Sequence, residues 1–267
     1  MNSGTDIVFV GDPHGQLVRA VEAILRMTER PKAIVLLGDH DLGVPLDLEV
    51  LPLAQVGIET WWIPGNHDSD LSQWHQNLFA SNLAGRNLDA RVVEIAGVRV
   101  AGLGGVFRGK WWMPDPAAPR YQHAPRWKSR HEWLEQIKYE RKKRRNSATY
   151  GDQLVREAYT SIWFDDYERL RDQRADVLVC HEAPSCHRHG FQALDDLAAA
   201  MRVSLVVHGH HHTDYDGAIA DGRIRVMGVG LAGVRAMDGT VIRKGQRGTG
   251  RPVLDCVSWE SKVEKTK

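Results

Sequence analysis

Residues 7–14 read Ile-Val-Phe-Val-Gly-Asp-Pro-His, an apolar run of four that stops at a glycine and an aspartate. A short continuous apolar run is typical of a strand that is buried on both faces of its sheet. Apolar positions at helical spacing follow over residues 16–28, and a second apolar run, 33–37, ends at Gly38 and Asp39. This strand–helix–strand order predicts an α/β fold with a largely parallel sheet.

Three more predicted strands end in the same way, at polar residues. They are 60–63, which ends at Pro64-Gly65-Asn66; 177–180, which ends at His181; and 204–207, which ends at His208. A hairpin is predicted at 91–103, helices at 47–56, 150–173 and 191–201, and C-terminal strands at 224–226 and 253–258. Because the loops at the carboxyl edge of an α/β sheet converge on one crevice, we expect the polar clusters to meet there.

The composition is that of an ordinary folded protein. A chain of 267 residues allows one large domain, 1–267, and its net charge of +1 indicates no particular partner. No apolar run approaches the roughly 20 residues that span a bilayer, so no membrane association is expected. The N-terminus lacks the pattern of a secretory signal, and three cysteines do not make a disulfide framework. We therefore expect a cytoplasmic protein.

The segment 106–145 differs from the rest in charge and aromatic content. It carries twelve Lys and Arg against four Asp and Glu, a net charge of +8, and four tryptophans. We predict an inserted cap over 106–175. Two interpretations stay open for its basic part: a solvated helix with ion pairs at helical spacing, or a surface for nucleic acid with tryptophans as stacking platforms.

Five clusters of carboxylate, amide and imidazole side chains follow the predicted strands. These are the donors that bind divalent ions. Adjacent glycines permit the tight turns that direct a ligand back over a strand end. Each cluster alone is typical of a turn or cap, but five in this order predict one metal site. The clusters are Asp12-Pro13-His14, Gly38-Asp39, Gly65-Asn66-His67-Asp68, His181 and Gly209-His210-His211-His212.

These five clusters resemble the sequence blocks of the calcineurin-like metallophosphoesterases: D-x-H, G-D, G-N-H-[DE], H and G-H-x-H. The resemblance runs from about residue 6 to 215 without a substitution at a ligand position. It implies a four-layer αββα sandwich of two mixed sheets flanked by helices, with the basic, Trp-rich segment as an insertion.

The resemblance also implies a role for each position. Two divalent ions would be held by seven side chains: Asp12, His14 and His212 for the first, Asn66, His181 and His210 for the second, and Asp39 between them. His67 would act on the substrate, with Asp68 orienting its ring. We expect Mn²⁺ to be the bound ion. Fe, Zn and Co are alternatives, because mixed nitrogen and oxygen ligation admits all of them.

The implied chemistry is hydrolysis of a phosphoester. Two ions roughly 3.5–4 Å apart lower the pKa of a bridging water, and the hydroxide attacks phosphorus. A positioned acid such as His67 typically contributes ~10²–10⁴-fold to such a reaction. Arg108 and Lys110 follow the glycine turn at 102–105 and are predicted to contact the substrate phosphate.

A phosphodiester, such as a cyclic nucleotide, a dinucleotide or RNA, is favoured over a phosphomonoester. The protein Ser/Thr phosphatases resemble residues 11–16, but they bind the phosphomonoester dianion through arginines in their second and third blocks. Here residues 38–43 contain no Arg, and Pro64 precedes Gly65. A non-catalytic scaffold of the same fold is less favoured because every ligand position is intact. The oligomeric state stays open.

Overall fold

Two mixed β-sheets packed face to face form the centre of the molecule. The computed structural model describes residues 4–115, 124–143 and 148–246. The strands are β1 (Ile7–Val10), β2 (Ala33–Leu36), β3 (Glu59–Trp62), β4 (Arg91–Ile95), β5 (Val98–Leu103), β6 (Val177–Cys180), β7 (Leu205–His208), β8 (Tyr215–Ile219), β9 (Ile224–Gly228), β10 (Val234–Ala236) and β11 (Val241–Arg243).

Helices cover the outer faces of both sheets. They are α1 (Leu17–Leu25), α2 (Leu46–Glu49), α3 (Leu51–Ala54), α4 (Ser72–Phe79), α5 (Arg130–Lys143), α6 (Ala148–Tyr159), α7 (Phe164–Arg171) and α8 (Gln192–Met201). Short 3₁₀ turns lie at His67–Ser69 and Ala84–Arg86. None of the helices in these described parts of the chain combines the length and apolar character needed to cross a bilayer.

The first sheet has the order β11-β10-β1-β2-β3, with β1, β2 and β3 parallel. The second has the order β4-β5-β6-β7-β9-β8, with β5, β6, β7 and β9 parallel. The strand–helix rhythm of the sequence does not reveal this division into two sheets. The polar clusters therefore come from the carboxyl edges of two sheets that pack face to face, rather than from the edge of one sheet.

Three apolar cores separate the four layers. Phe9 and Val35 of the first sheet pack between the sheets with Val179 and Val207 of the second. The opposite faces of the same sheets pack against α1, α2 and α3 on one side and against α7 and α8 on the other. Strands β1, β2, β6 and β7 are buried on both faces, as their continuous apolar sequences predict. The predicted four-layer αββα sandwich is confirmed.

Two predicted helices are each divided in the structure. The stretch 47–56 forms α2 and α3, and α3 has Pro52 in its first turn. Proline is favoured at the start of a helix because it has no N–H to donate, so it marks a new beginning. The stretch 150–173 forms α6 and α7. The C-terminal strand predicted at 253–258 lies outside the described residues.

The tryptophans of the basic segment lie in an apolar core. Trp111, Trp133 and Trp163 pack together with ring centroids 5.2–6.3 Å apart, and Trp127 packs against them. Trp112 is also buried and packs on Tyr167. Since Trp111, Trp112 and Trp133 are almost fully buried, they offer no platform on which a base could stack. Residues 116–123 and 144–147 of this segment lie outside the described residues. The boundaries of the insertion, 106–175, stay a prediction.

The loops after β2 and β3 approach each other more closely than side chains would allow. A Cβ at Gly38 would lie 2.7 Å from Cα of Gly65, and one at Gly65 would clash with N and Oδ1 of Asp39. Gly38 also has a φ of 103°, in the region that favours glycine. Both glycines are therefore required for Asp39 to lie beside the loop that carries Asn66.

We expect Gly65→Ala to destabilise the fold by about 1–3 kcal/mol, the usual penalty for overpacking. Displacement of Asp39 should accompany this loss. The matched control is Gly85→Ala, since a Cβ there meets no atom within 4 Å. Denaturant unfolding of both variants is the measurement. Equal stability of the two would contradict the close approach.

Candidate metal centre

The seven predicted ligands lie directly after strands of the two sheets. Asp12 and His14 follow β1, Asp39 follows β2 and Asn66 follows β3, while His181 follows β6, and His210 and His212 follow β7. Five of the seven have backbone φ between 27° and 67°, which is uncommon for residues other than glycine. They are Asp12, His14, Asp39, His210 and His212. Such strain is characteristic of functional sites, where the surrounding fold maintains it.

The first predicted ligand group converges on Nε2 of His14. This nitrogen lies 3.1 Å from Nε2 of His212 and 3.6 Å from Oδ2 of Asp39. Asp12 lies on the far side of His212, with Oδ2 4.0 Å from its Nε2. Ligand atoms of His14, Asp39 and His212 all lie within 4.8 Å of one another. These separations suit donors to one cation.

The second predicted group converges on Nε2 of His181. This nitrogen lies 3.3 Å from Oδ2 of Asp39 and 3.2 Å from Oδ1 of Asn66. The His210 ring is 4.8 Å from the His181 ring, and Asp39, His181 and His210 offer ligand atoms within 4.8 Å of one another. Since the same Asp39 oxygen faces both groups, Asp39 lies where a bridging ligand would be needed. The structure thus brings all seven side chains together.

The electrostatics of this cluster favour a cation. Asp12 is fully buried, and neither carboxylate oxygen has a hydrogen-bond partner among the described residues. Burial raises its pKa to about 7. Burial also opposes ionisation of Asp39, but the neighbouring His181 lowers its pKa below the usual value. Two adjacent buried carboxylates are costly unless positive charge compensates them, and a divalent ion is such a charge.

The histidines of the cluster differ in protonation. Burial and the neighbouring His181 lower the pKa of His210 to about 3, so its ring is neutral and has a lone pair to donate. Burial and His14 also lower the pKa of His212. Burial would lower the pKa of His181, but Asp39 and Asp12 raise it to about 10. The two carboxylates thus attract positive charge to the point where a cation would bind. The donor set fits divalent ions.

His67 lies beside the cluster, with its ring 5.2 Å from that of His14. Nδ1 of His67 is 2.7 Å from Oδ2 of Asp70, and both side chains are about half exposed. A solvent-facing imidazole next to the ligands is placed to meet a substrate.

The prediction that Asp68 orients His67 is wrong in the structure. The Asp68 carboxylate accepts hydrogen bonds from the backbone N–H groups of His40 and Gly65, and its Oδ2 is 2.9 Å from Nδ1 of His40. Residues i and i+3 eclipse in a 3₁₀ turn, so Asp70 rather than Asp68 shares the side of His67. The spacing from His67 to Asp70 is the sequence signal for this pairing.

The two predicted phosphate contacts behave differently. Arg108 donates to Oγ of Ser161 at 3.0 Å and to Oγ1 of Thr160 at 3.4 Å. Burial lowers its pKa, while nearby acids, Asp39 and Asp70 among them, oppose that shift. The guanidinium is therefore close to the cluster. Lys110 instead pairs with Glu157, and its ammonium lies 4.9 Å from the centre of the Trp111 ring.

Glu182 and Asp41 are acidic neighbours of the site that the sequence analysis did not assign to it. Glu182 is only 6% exposed, and burial raises its pKa to about 7. Its Oε2 lies 3.8 Å from Nε2 of His210. Oδ2 of Asp41 lies 2.8 Å from Nδ1 of His14. Their positions, one residue after His181 and two after Asp39, were the available signals.

Comparison with known proteins agrees with this geometry. The family model for calcineurin-like phosphoesterases matches residues 5–214. An uncharacterized protein from Haemophilus influenzae is 39% identical over 209 residues, which are 78% of this chain and 84% of that protein.

Two solved structures resemble the chain at low identity. A phosphopantetheinyl hydrolase from Mycobacterium tuberculosis is 14% identical with a TM-score of 0.43, over 86% of this chain and 92% of that one. A candidate 5'-nucleotidase from Staphylococcus aureus has the same identity and score, over 90% of this chain and 53% of that one. Such distant likeness says nothing about the substrate of this chain. The family match over residues 5–214 suffices: the chain belongs to the calcineurin-like phosphoesterases.

Proposed function

We propose that this phosphoesterase cleaves a phosphodiester bond in a nucleotide or nucleic acid, with two divalent ions held by its seven clustered side chains. The observation that carries the proposal is the position of Asp39. Its Oδ2 faces His14 at 3.6 Å and His181 at 3.3 Å, one ligand from each predicted group. The buried and unpartnered oxygens of Asp12 support it as well. Mn²⁺ is the proposed ion, and a cytoplasmic location stays a prediction.

The protein side chains would supply binding and proton transfer. Two divalent ions, when bound, supply Lewis acidity toward water and phosphate oxygens. Arg108 would hold a phosphate oxygen next to the ligands. With Nδ1–H donated to Asp70, His67 would have to be an imidazolium, with hydrogen on both nitrogens, to give a proton from Nε2 to the leaving oxygen. The Asp70 carboxylate would accept the Nδ1 hydrogen bond and hold the ring in that orientation.

The charge around the site supports a diester. A diester carries one negative charge at phosphorus, whereas a monoester near neutral pH carries up to two. The Arg108 guanidinium interacts with the charge of Asp39, while the Lys110 ammonium is paired with Glu157. Glu182 adds a further acid on the side of His210. A site with the Arg108 guanidinium and the additional Glu182 carboxyl group suits the single negative charge of a diester better than the two charges of a monoester.

Two alternatives remain distinguishable from this proposal. A phosphomonoesterase, including a protein Ser/Thr phosphatase, would need more cationic side chains than the described site offers. A non-catalytic scaffold would have no use for seven converging donors. The proposal that nucleic acid is a partner now has only the basic charge of 106–145 as support. The buried Trp111, Trp112 and Trp133 are not available to stack on bases.

We expect metal-free protein to be inactive and Mn²⁺ to restore hydrolysis of bis(4-nitrophenyl) phosphate. The kcat/KM for this diester should exceed that for 4-nitrophenyl phosphate. The same assay should include cyclic nucleotides and short RNA as substrates, and Fe, Zn and Co as metal ions. Faster hydrolysis of the monoester would overturn the preference for diesters. Stoichiometric metal binding without activity on any substrate would favour the scaffold.

His67→Ala should lower kcat by about 10²–10⁴-fold, the usual contribution of a positioned acid. The decrease in kcat should be greater for an alkyl diester than for a nitrophenyl diester, because nitrophenolate is a good leaving group that needs no proton. Asp70→Asn should show the same dependence on leaving group with a smaller loss. Equal losses on both esters would remove His67 from the role of acid.

Arg108→Ala should lower kcat/KM by roughly 10- to 150-fold, which corresponds to a charged hydrogen bond of about 1.5–3 kcal/mol. Metal content should not change. Lys110→Ala serves for comparison, because its ammonium already pairs with Glu157, and a smaller loss is expected. Unchanged kinetics of Arg108→Ala would show that the guanidinium does not touch the substrate.

A further inference from the structure

We propose that Asp41 is a positioning residue for His14 and that it strengthens metal binding at the first of the two positions. Its carboxylate lies within hydrogen-bond distance of a ligand histidine of that position. This inference rests on the proposed function, because it takes the seven clustered side chains as metal ligands.

The geometry fixes which nitrogen of His14 is available. Oδ2 of Asp41 lies 2.8 Å from Nδ1 of His14, and a carboxylate accepts hydrogen bonds. Nδ1 therefore carries the hydrogen, and the lone pair resides on Nε2. That nitrogen faces Nε2 of His212 at 3.1 Å and Oδ2 of Asp39 at 3.6 Å. The carboxylate thus directs the lone pair into the cluster.

The loops hold Asp41 in this place. The N–H of His14 donates to the carbonyl of Asp39 at 2.9 Å, and the N–H of Gly15 donates to that of His40 at 3.0 Å. Asp41 has a φ of 51°, an uncommon conformation for aspartate. Its second oxygen, Oδ1, is buried and has no hydrogen-bond partner among the described residues. The loop backbone thus presents the Asp41 carboxylate to His14, which is its hydrogen-bond partner among the described residues.

Apart from the shared ligand Asp39, the acids near the histidines of the second position lie beyond hydrogen-bond distance of them, and Oδ1 of Asp12 is 3.6 Å from Nδ1 of His181. Nδ1 of His181 lies 2.7 Å from the backbone carbonyl oxygen of Leu37, a neutral acceptor. His210 has Glu182 nearby, but the separation of 3.8 Å between Nε2 and Oε2 is too long for a hydrogen bond. The remaining ligand there is the neutral amide of Asn66, whereas the first position has the carboxylate of Asp12. Of the outer acids Asp41 and Glu182, only Asp41 is therefore within hydrogen-bond distance of a ligand histidine, and that histidine belongs to the first position.

A carboxylate behind a ligand histidine raises the basicity of the ligating nitrogen and fixes its tautomer. Loss of such a partner typically costs about 10–100-fold in metal affinity. Asparagine can turn its NH₂ group toward Nδ1 and so favour the tautomer with hydrogen on Nε2. Asp41→Asn should therefore weaken one metal position and leave the other as it is.

Mn²⁺ titration of the full chain, by calorimetry and by electron paramagnetic resonance, tests the proposal. The wild type should bind two Mn²⁺ and give the spectrum of a spin-coupled pair. Asp41→Asn should bind one Mn²⁺ with the wild-type Kd and the second about 10–100-fold more weakly. Asp47→Asn is the matched control, because that carboxylate bonds only Asn82 among the contacts described and lies on α2.

Asp41→Gly is the second variant, in case asparagine disturbs the loop. Glycine accepts a φ of 51° and should keep the loop conformation. It should show the same selective loss. Two wild-type affinities in both variants would overturn the proposal and leave the metal centre standing. Equal weakening of both positions would also overturn it. Failure of the wild type to bind Mn²⁺ would reject the metal centre itself, and the inference with it.

Discussion

The burial of two neighbouring carboxylates is the constraint on which the rest of this site depends. Asp12 and Asp39 lie almost without solvent exposure between two sheets, and Asp12 has no hydrogen-bond donor among the described residues. A cluster of this kind is unfavourable unless positive charge joins it. Of the histidines around it, His210 and His212 have lowered pKa values, whereas the two carboxylates raise the pKa of His181, and this arrangement fits the proposed metal ligands.

The sandwich makes such burial possible because it brings two carboxyl edges together. Asp12, Asp39 and Asn66 come from the first sheet, while His181 and the histidine pair come from the second. Each sheet alone would leave half of the donors without partners. Apolar packing between the sheets holds the two halves in register, so the core contributes directly to the geometry of the site. The family membership of the chain agrees with this architecture.

The segment after β5 links its own apolar core to the site. Trp111, Trp133 and Trp163 pack against each other and so stabilise the segment that carries Arg108. Thr160 and Ser161 then hold the guanidinium through their hydroxyl groups. A tryptophan-rich, basic sequence suggested contacts with bases, yet its aromatic residues serve packing. A buried tryptophan ring removes a large apolar area from water and so stabilises the fold, whereas an exposed ring does not. These rings therefore lie in the core.

The sequence by itself determined the buried strands, the fold class and the seven side chains that the structure brings together as a candidate metal centre. The family resemblance and the positions of these side chains directly after apolar runs were sufficient to predict them. Residues that follow the carboxyl end of a buried strand lie at the edge of its sheet. Only the tertiary structure decided the outer partners. Asp68 pairs with His40, Asp70 with His67 and Asp41 with His14, and Lys110 turns to Glu157. Apart from the pair of His67 and Asp70, which the three-residue spacing signals, these contacts depend on the approach of distant loops, and local sequence patterns do not encode that approach.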